Sequence, residues 1–354
     1  MFSRRKSDPV RPVVAIVSSS REIATIVATQ PPVFDPLQSS RSRAPLRLAR
    51  AFAPGSIGNI GPGLDILGCA LTGAGDTVTA RIADSVGVSI EDAGHSDLSG
   101  DPTRHASAIA ATEVLRRANV PATGVSLRVE KGLPLAGGQG GSAASAVAGA
   151  VATNALLGGP LDQRELLFSA LVAEEALAGR HIDNLAPALF GGIILIRSID
   201  PFDIVRLPVP SELRVVLVHP RMRLRTADAR AVLPRSIDLP TTLAQAAAVA
   251  SMVAAFCTGD LGVLRGAVDD RIAEPARAPM LPGFPEAKAA ALAAGALGCS
   301  ISGGGPTAFA LVDREDVAQS VLTAMVDAYV KCGVPADGRI ERIDERGARV
   351  EETA

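Results

Sequence analysis

Residues 134–145 read Pro-Leu-Ala-Gly-Gly-Gln-Gly-Gly-Ser-Ala-Ala-Ser, and no other stretch of the chain restricts its fold so strongly. Glycines at 137, 138, 140 and 141 let the main chain take positive φ and come close to a ligand. The residues that follow, Ser142–Leu157, are largely Ala and Val and end at Gly158-Gly159-Pro160, which predicts a helix. A helix that opens out of such a loop presents unpaired N–H groups and the positive end of its dipole, for which an anion is the natural guest. The same letters also suit a plain glycine turn capped by Ser142. Two better-known phosphate loops are excluded. No Gly-Lys-Ser/Thr is present, and no acid ends a partner strand at the dinucleotide-binding offset.

At 354 residues the chain is long for one average domain and short for three. Two further shaped loops, Ala53–Asp65 and Ser302–Pro306, punctuate it. Strands are predicted near 46–52, 77–82, 125–129, 193–196, 213–218 and 308–312, with a last one closing the chain. Helices are predicted near 101–117, 142–157, 162–178, 226–231, 243–257, 261–272, 285–294 and 315–331. The two element types mix without strict βαβ alternation, so an α+β fold is expected rather than a doubly wound sheet. We expect a first domain over 46–205, a second over 206–354, and an extension over 1–45.

The extension differs in kind. The first fifty residues hold nine Lys or Arg against three acids, a local +6 that leaves about −8 of the total −2 for the remainder. An import peptide, a disordered tail and a misplaced start codon all fit that composition. Elsewhere composition mainly excludes. With no Trp and a single Tyr, the core is expected to consist of Ala, Val, Leu and Ile. A net charge of −2 argues against a nucleic-acid partner. Cysteines at 69, 257, 299 and 332 form no CxxC pair, so neither a zinc site nor a disulfide framework is expected, and reduced thiols suit a cytoplasmic protein. No uninterrupted apolar run reaches spanning length, and Leu243–Cys257 reads as a buried helix, so no membrane is expected.

Several segments together resemble the GHMP small-molecule kinases. Pro134, Gly138, Gly140, Ser142, Ala143 and Ala144 match the second signature of that superfamily, Pro-x-x-x-Gly-Leu-Gly-Ser-Ser-Ala-Ala; Gln139 replaces its Leu and Gly141 its first Ser. Ile301-Ser302-Gly303-Gly304-Gly305-Pro306-Thr307 resembles the third. Pro54–Asp65, reading PGSIGNIGPGLD and followed by ILGCAL, is similar to the first motif of homoserine kinases in particular. So are Gly179–Gly192 (GRHIDNLAPALFGG), Thr226–Pro234, and Glu274-Pro275-Ala276-Arg277 with Leu281-Pro282-Gly283-Phe284. The resemblance covers about residues 48–352.

That resemblance implies a two-domain GHMP kinase fold, with an N-terminal ribosomal S5 domain 2-like domain and a C-terminal ferredoxin-like α/β sandwich. It implies transfer of the γ-phosphate of ATP to L-homoserine, in threonine biosynthesis, with Mg²⁺. ATP would lie against Pro134, Leu135, Ala136, Gly137, Gly138, Gln139, Gly140, Gly141, Ser142, Ala143 and Ala144. Ser142 and Glu174, rather than the neighbouring Glu175, would hold the metal. Homoserine would meet Asn59, Asp65, His181, Asn184, Thr226, Arg230 and Arg277. Asp65 suits its ammonium group and the two arginines its carboxylate. On chemistry alone, Asn59 and Asp65 serve equally to stabilise turns, the arginines to form surface ion pairs, and His181 to hold a polar loop. His181, Asp183 and Asn184 are the catalytic candidates. Asp183 is either a base or a group that orients His181, and transfer without a dedicated side-chain base is the expectation. The family often carries Asn where His105 stands, and is usually dimeric, so a homodimer is expected. Two rivals stay open: a GHMP kinase for another alcohol, and a sensor that keeps the pocket without catalysis.

Overall fold

The structure, a computed structural model, describes residues 46–354. The readings of residues 1–45 lie outside the described residues.

Strands β1 (Leu48–Gly58), β2 (Leu67–Ala83) and β3 (Gly87–Asp92) lead into helix α1 (Ala106–Arg117) and strand β4 (Gly124–Glu130). Three helices follow, α2 (Gly141–Leu156), α3 (Gln163–Leu177) and α4 (Leu185–Phe190), then β5 (Ile193–Ile199), β6 (Phe202–Leu207) and β7 (Arg214–Pro220). Next come α5 (Thr226–Ala231), α6 (Leu239–Thr258), α7 (Ala273–Arg277), α8 (Phe284–Ala293), β8 (Gly298–Ile301) and β9 (Ala308–Val312). The chain closes with α9 (Glu315–Lys331), β10 (Ala336–Glu341) and β11 (Arg349–Thr353).

Two sheets result. The larger has the order β11-β1-β2-β4-β3, with β5 on β2 and β6 on β5; only β3–β4 is parallel. It takes β6 across residue 205 and β11 from the far end of the chain. The smaller sheet, β10-β7-β9-β8, is antiparallel. Its β-α-β-β-α-β connection and order are ferredoxin-like, and the mixed α+β character expected from the sequence is present.

Three apolar layers hold the elements together. Helices α1–α4 cover one face of the large sheet. Between the sheets, Ile57, Leu67 and Leu71 meet Val215, Leu217, Phe309 and Leu311, with Met252 and Phe256 of α6. The outer face of the small sheet packs Val216, Val218, Ala308 and Ala310 against α8 and α9. Alternation along β7 sends successive valines and leucines to opposite layers, as strand geometry requires. Small side chains make the first layer tight. A Cβ on Gly149 of α2 would stand 2.6 Å from the Ser107 carbonyl of α1.

Some expectations are corrected. The loop expected from Ala53 is strand as far as Gly58, because Pro54 and Ser56 continue the pairing with β2 across a register shift. The helix expected over 261–272 is a single 3-10 turn, Leu261–Leu264. Beyond it, Asp270 accepts the N–H groups of Ile272, Ala273 and Glu274, an alternative to helix propagation. Helix α6 starts earlier than expected and is not a buried helix. Gln245, Ala248, Met252, Ala255 and Phe256 face inward, whereas Leu239 and Leu243 are 68% and 61% exposed. Among the described residues it is long and apolar enough to cross a membrane. Gln245 ties it to the fold through the Pro62 carbonyl and Asp270.

Candidate active site

The glycine loop is held from behind. The Ala136 carbonyl accepts from the Leu224 N–H, that of Gly137 from the Thr307 hydroxyl, that of Gly138 from the Ser302 hydroxyl, and that of Gln139 from the Ser56 N–H. With four successive carbonyls engaged, the N–H groups of residues 138–143 have no protein acceptor among the described residues. Gly140 is the N-cap of α2 and no side chain caps the helix, so the plain turn capped by Ser142 does not form. The unmet donors are what an anion site needs. Glycine is required at two points. A Cβ on Gly138 (φ 74°) would lie 2.6 Å from the Gly305 and Ser302 carbonyls, and one on Gly140 (φ 69°) 2.1 Å from Ser56 Oγ.

This loop floors a cleft of about 480 Å³. Pro134–Gly138, Gly140–Ala143, Glu174, His181, Asn184 and Thr226 line it, together with His105, Arg104, Asp97, Lys131 and Gly303–Gly304. Gln139 and Ala144 do not line it; both are buried behind. Glu175 lies outside, paired with Arg180.

A second group of expected residues sits behind Gly303. Asn59 donates from Nδ2 to the Gly303 carbonyl and accepts the Asp65 N–H on Oδ1, so it stabilises the turn. Asp65 accepts two hydrogen bonds from Arg230. Arg277, 4% exposed, donates from Nη1 to Gly303 and from Nε to Ala229, both main-chain carbonyls, and burial lowers its pKa. Arg277 is therefore no surface ion pair, whereas the Arg230–Asp65 pair is partly exposed, at 31% and 36%.

Between the two groups lies a knot of polar atoms with too few partners. His181 Nδ1 stands 3.4 Å from Asp183 Oδ1 and 3.7 Å from Glu174 Oε1. Glu174 Oε2, both His181 nitrogens, Asp183 Oδ1 and Arg230 Nε are buried without a geometrically sound hydrogen bond. Burial pushes Glu174 up to about 7, opposed by the His181 charge and the nearby Ser142 hydroxyl. Burial would lower His181, but Asp183 and Glu174 outweigh it and raise it. The segment can lie so close to the sheet because its neighbours are glycines. A Cβ on Gly58 would meet Asp183 Oδ2 at 2.2 Å, and one on Gly68 the Asp183 carbonyl at 1.8 Å. Asn184 accepts from Ser56 Oγ at 3.0 Å, which joins this knot to the glycine loop.

Buried polar atoms in want of partners fit a ligand that brings charge. Glu174 with the Ser142 hydroxyl beside it suits Mg²⁺, which takes few protein oxygens and completes its shell with phosphate and water. Among the described residues no three His, Cys, Asp or Glu side chains form a closed metal site.

One charged cluster escaped the sequence reading. Lys131, 7% exposed, is paired with the fully buried Asp76 and donates to the Gly141 carbonyl and to Ser145 Oγ, both at 3.0 Å. It places a cation under the first turn of α2. Its signal was present: Lys131 is one of only four lysines in the chain and stands three residues before Pro134, where the loop begins.

The comparisons with known proteins agree with this geometry. Family profiles described as GHMP kinases N terminal domain and GHMP kinases C terminal match residues 105–192 and 252–331. A homoserine kinase of Arabidopsis thaliana is 39% identical over 99% of this chain and 95% of its own length. One from Chlorobium phaeovibrioides is 39% identical over 86% of this chain and all of its own. The crystal structure of homoserine kinase from Cytophaga hutchinsonii superposes with a TM-score of 0.83 at 37% identity, over 87% of this chain and 99% of that one. The L. major mevalonate kinase structure, at 16% identity and a TM-score of 0.63, shares the fold. On its length, motifs and architecture, the chain belongs to the homoserine kinase family of the GHMP kinases.

Proposed function

We propose that this protein phosphorylates L-homoserine with ATP, yielding ADP and O-phospho-L-homoserine for threonine synthesis. One observation carries the reading: the donor-rich loop at 138–143 shares a cleft with Glu174, His181 and Asn184, where buried atoms of Glu174 and His181 lack partners, backed by the Asp65–Arg230 pair. The loop N–H groups and the α2 dipole receive the phosphates of ATP. Asp65 takes the ammonium of homoserine and Arg230 its carboxylate; Arg277 holds the Gly303 turn against them. Glu174 and Ser142 would hold Mg²⁺, which neutralises phosphate charge when bound. His181 and Asn184 line the space where the hydroxyl must sit, and Asp183, outside the cleft lining, orients His181. Catalysis then rests on positioning and charge, with no dedicated side-chain base.

The boundary near residue 205, a homodimeric state and a cytoplasmic location, with plastid import as the alternative, belong to the same proposal. The test is ADP release by the purified full chain with ATP, Mg²⁺ and a panel of alcohols, the product being identified by mass. Homoserine should be preferred. Turnover of another alcohol in its place would overturn the substrate, and absence of turnover with any would favour the sensor.

A further inference from the structure

Gln139 departs from the family signature, which has Leu at that place. It is 1% exposed, yet both ends of its amide are used. Its Oε1 accepts from Arg339 Nη2 at 2.6 Å, and its Nε2 donates to Thr307 Oγ1 at 3.0 Å. Arginine only donates, so the amide oxygen must face it and the orientation is fixed. Thr307 is equally constrained. Its hydroxyl lies 2.6 Å from the Gly137 carbonyl, which only accepts, so its one proton goes there. Its lone pairs then receive Gln139 and His219 Nδ1, the latter at 3.0 Å, which places the imidazole proton on Nδ1. Beyond Gln139, Arg339 of β10 donates to Glu341 at 2.9 Å, and Glu341 accepts the Thr72 hydroxyl of β2 at 2.6 Å.

The position of this residue matters as much as its bonds. In Gly137-Gly138-Gln139-Gly140-Gly141, Gln139 owns the only side chain beyond hydrogen, and it stands between two glycines at positive φ. Such a loop has the most conformational freedom to lose. Its N–H groups stay aimed only if the main chain is held from outside; Ser302 and Thr307 hold its carbonyls, and the one side chain of the five-residue run itself reaches the small sheet.

We propose that Gln139 is a positioning residue for phosphoryl transfer. It fastens the phosphate loop to β10 through Arg339 and to the Ser302–Thr307 turn through Thr307, at the place where the signature has Leu. This inference rests on the kinase reading above, and concerns alignment of the nucleotide rather than recognition of the alcohol.

A double-mutant cycle on the full chain tests it, with Gln139→Leu, Arg339→Leu and the pair together. Three quantities are read: kcat and both KM values from ADP release, ADP affinity by calorimetry with Mg²⁺, and thermal unfolding. Gln139→Leu should lower kcat about 10-fold and ADP affinity about 5-fold, with the KM for homoserine unchanged within about twofold. Arg339→Leu should cost far less in the Gln139→Leu background than in the parent, because one fastening is already gone. Arg339→Gln replaces it in the cycle should the leucine variant not fold. Losses that multiply, or a Gln139→Leu protein with parental kcat and a lowered unfolding temperature, overturn the proposal. If the parent turns over no homoserine, the substrate reading fails, while coupling in ADP affinity still decides for or against Gln139.

Discussion

Arg230 and Asp65 hold one another in a two-pronged ion pair, Nη1 to Oδ2 at 3.0 Å and Nη2 to Oδ1 at 2.6 Å. The guanidinium and the carboxylate are the groups assigned to the two charged ends of homoserine. Receiving the zwitterion therefore means exchanging one ion pair for two, whereas a ligand with a single charge leaves one protein group uncompensated.

A direct consequence concerns 4-hydroxybutyrate, which lacks the ammonium of homoserine. Asp65 has a φ of 61°, which Asn tolerates, so Asp65→Asn changes charge with little backbone strain. The KM for homoserine should rise about 10- to 100-fold, the worth of a hydrogen bond to a charged group. Inhibition by 4-hydroxybutyrate should become stronger in the variant, because Arg230 is released and no carboxylate is left bare. Steady-state inhibition constants measure both. Equal weakening of the two ligands would remove Asp65 from ammonium recognition.

Glu174 should show opposite effects on function and on stability. Its carboxylate is buried, and burial is the main cause of its pKa rising to about 7. In the metal-free protein the ionised form is a cost rather than a support. Glu174→Gln should therefore lower kcat by about 100-fold and raise the Mg²⁺ concentration needed for half-maximal rate. Without Mg²⁺ at pH 8, the variant should unfold at a temperature no lower than the parent. A clear drop in unfolding temperature would mean that the ionised carboxylate braces the fold.

How much of this was legible follows from which residues carry local signals. Glycines and turn residues announce themselves, so the loops at 59–65, 134–141 and 302–306 were readable, as were helices α2, α3 and α9 with their strong patterns. Strand β3 was missed although Val88 and Ile90 alternate with Ser89 and Glu91, because the segment is only six residues long, opens on a glycine and is nowhere fully buried. The extension of β1 through Pro54 and Gly55 was masked by residues that normally end strands. Inside the site, residue types were readable and partners were not. Nothing local reveals that Arg230 meets Asp65, 165 residues away, or that Asp76 meets Lys131 across two strands. Those contacts exist only once the sheets are assembled.

Two adjacent glycines of the phosphate loop should respond differently to a small added side chain. At Gly140 a Cβ meets Ser56 Oγ at 2.1 Å in a left-handed backbone, so Gly140→Ala strains the loop and displaces the Ser56–Asn184 bond. At Gly141 the nearest atom to a Cβ is Lys131 Nζ at 3.5 Å, an ordinary contact. Gly140→Ala should lose at least about 1–3 kcal/mol of stability and most ADP affinity. Gly141→Ser, which restores the signature residue, should keep both within about 0.5 kcal/mol. Thermal unfolding and ADP calorimetry distinguish them, and parity of the two variants would show that loop geometry is not set by these contacts.

His105 supplies a pH test. Burial is the main cause of its lowered pKa; the Lys131 charge adds to it, while the Ala93 carbonyl and Asp76 oppose it. Ser107 Oγ lies 2.9 Å from its Nδ1. Because the folded-state pKa lies below the unfolded value, the folded protein resists protonation. The stability from neutral His105 is present above about pH 6.5 and is lost as pH falls through the folded pKa. His219 is half-buried and also lowered, and adds in the same sense, whereas Glu174 and His181 are raised and act oppositely. The pH slope of the parent alone is thus a mixture, but its difference from His105→Asn isolates one group. Between pH 7 and 5 the parent should lose stability relative to His105→Asn, by at most about 1.4 kcal/mol per pH unit. Urea unfolding at each pH measures this difference. Parallel stability curves would show that His105 takes up its proton as readily in the fold as outside it, and that its place in the cleft wall is not a desolvated one.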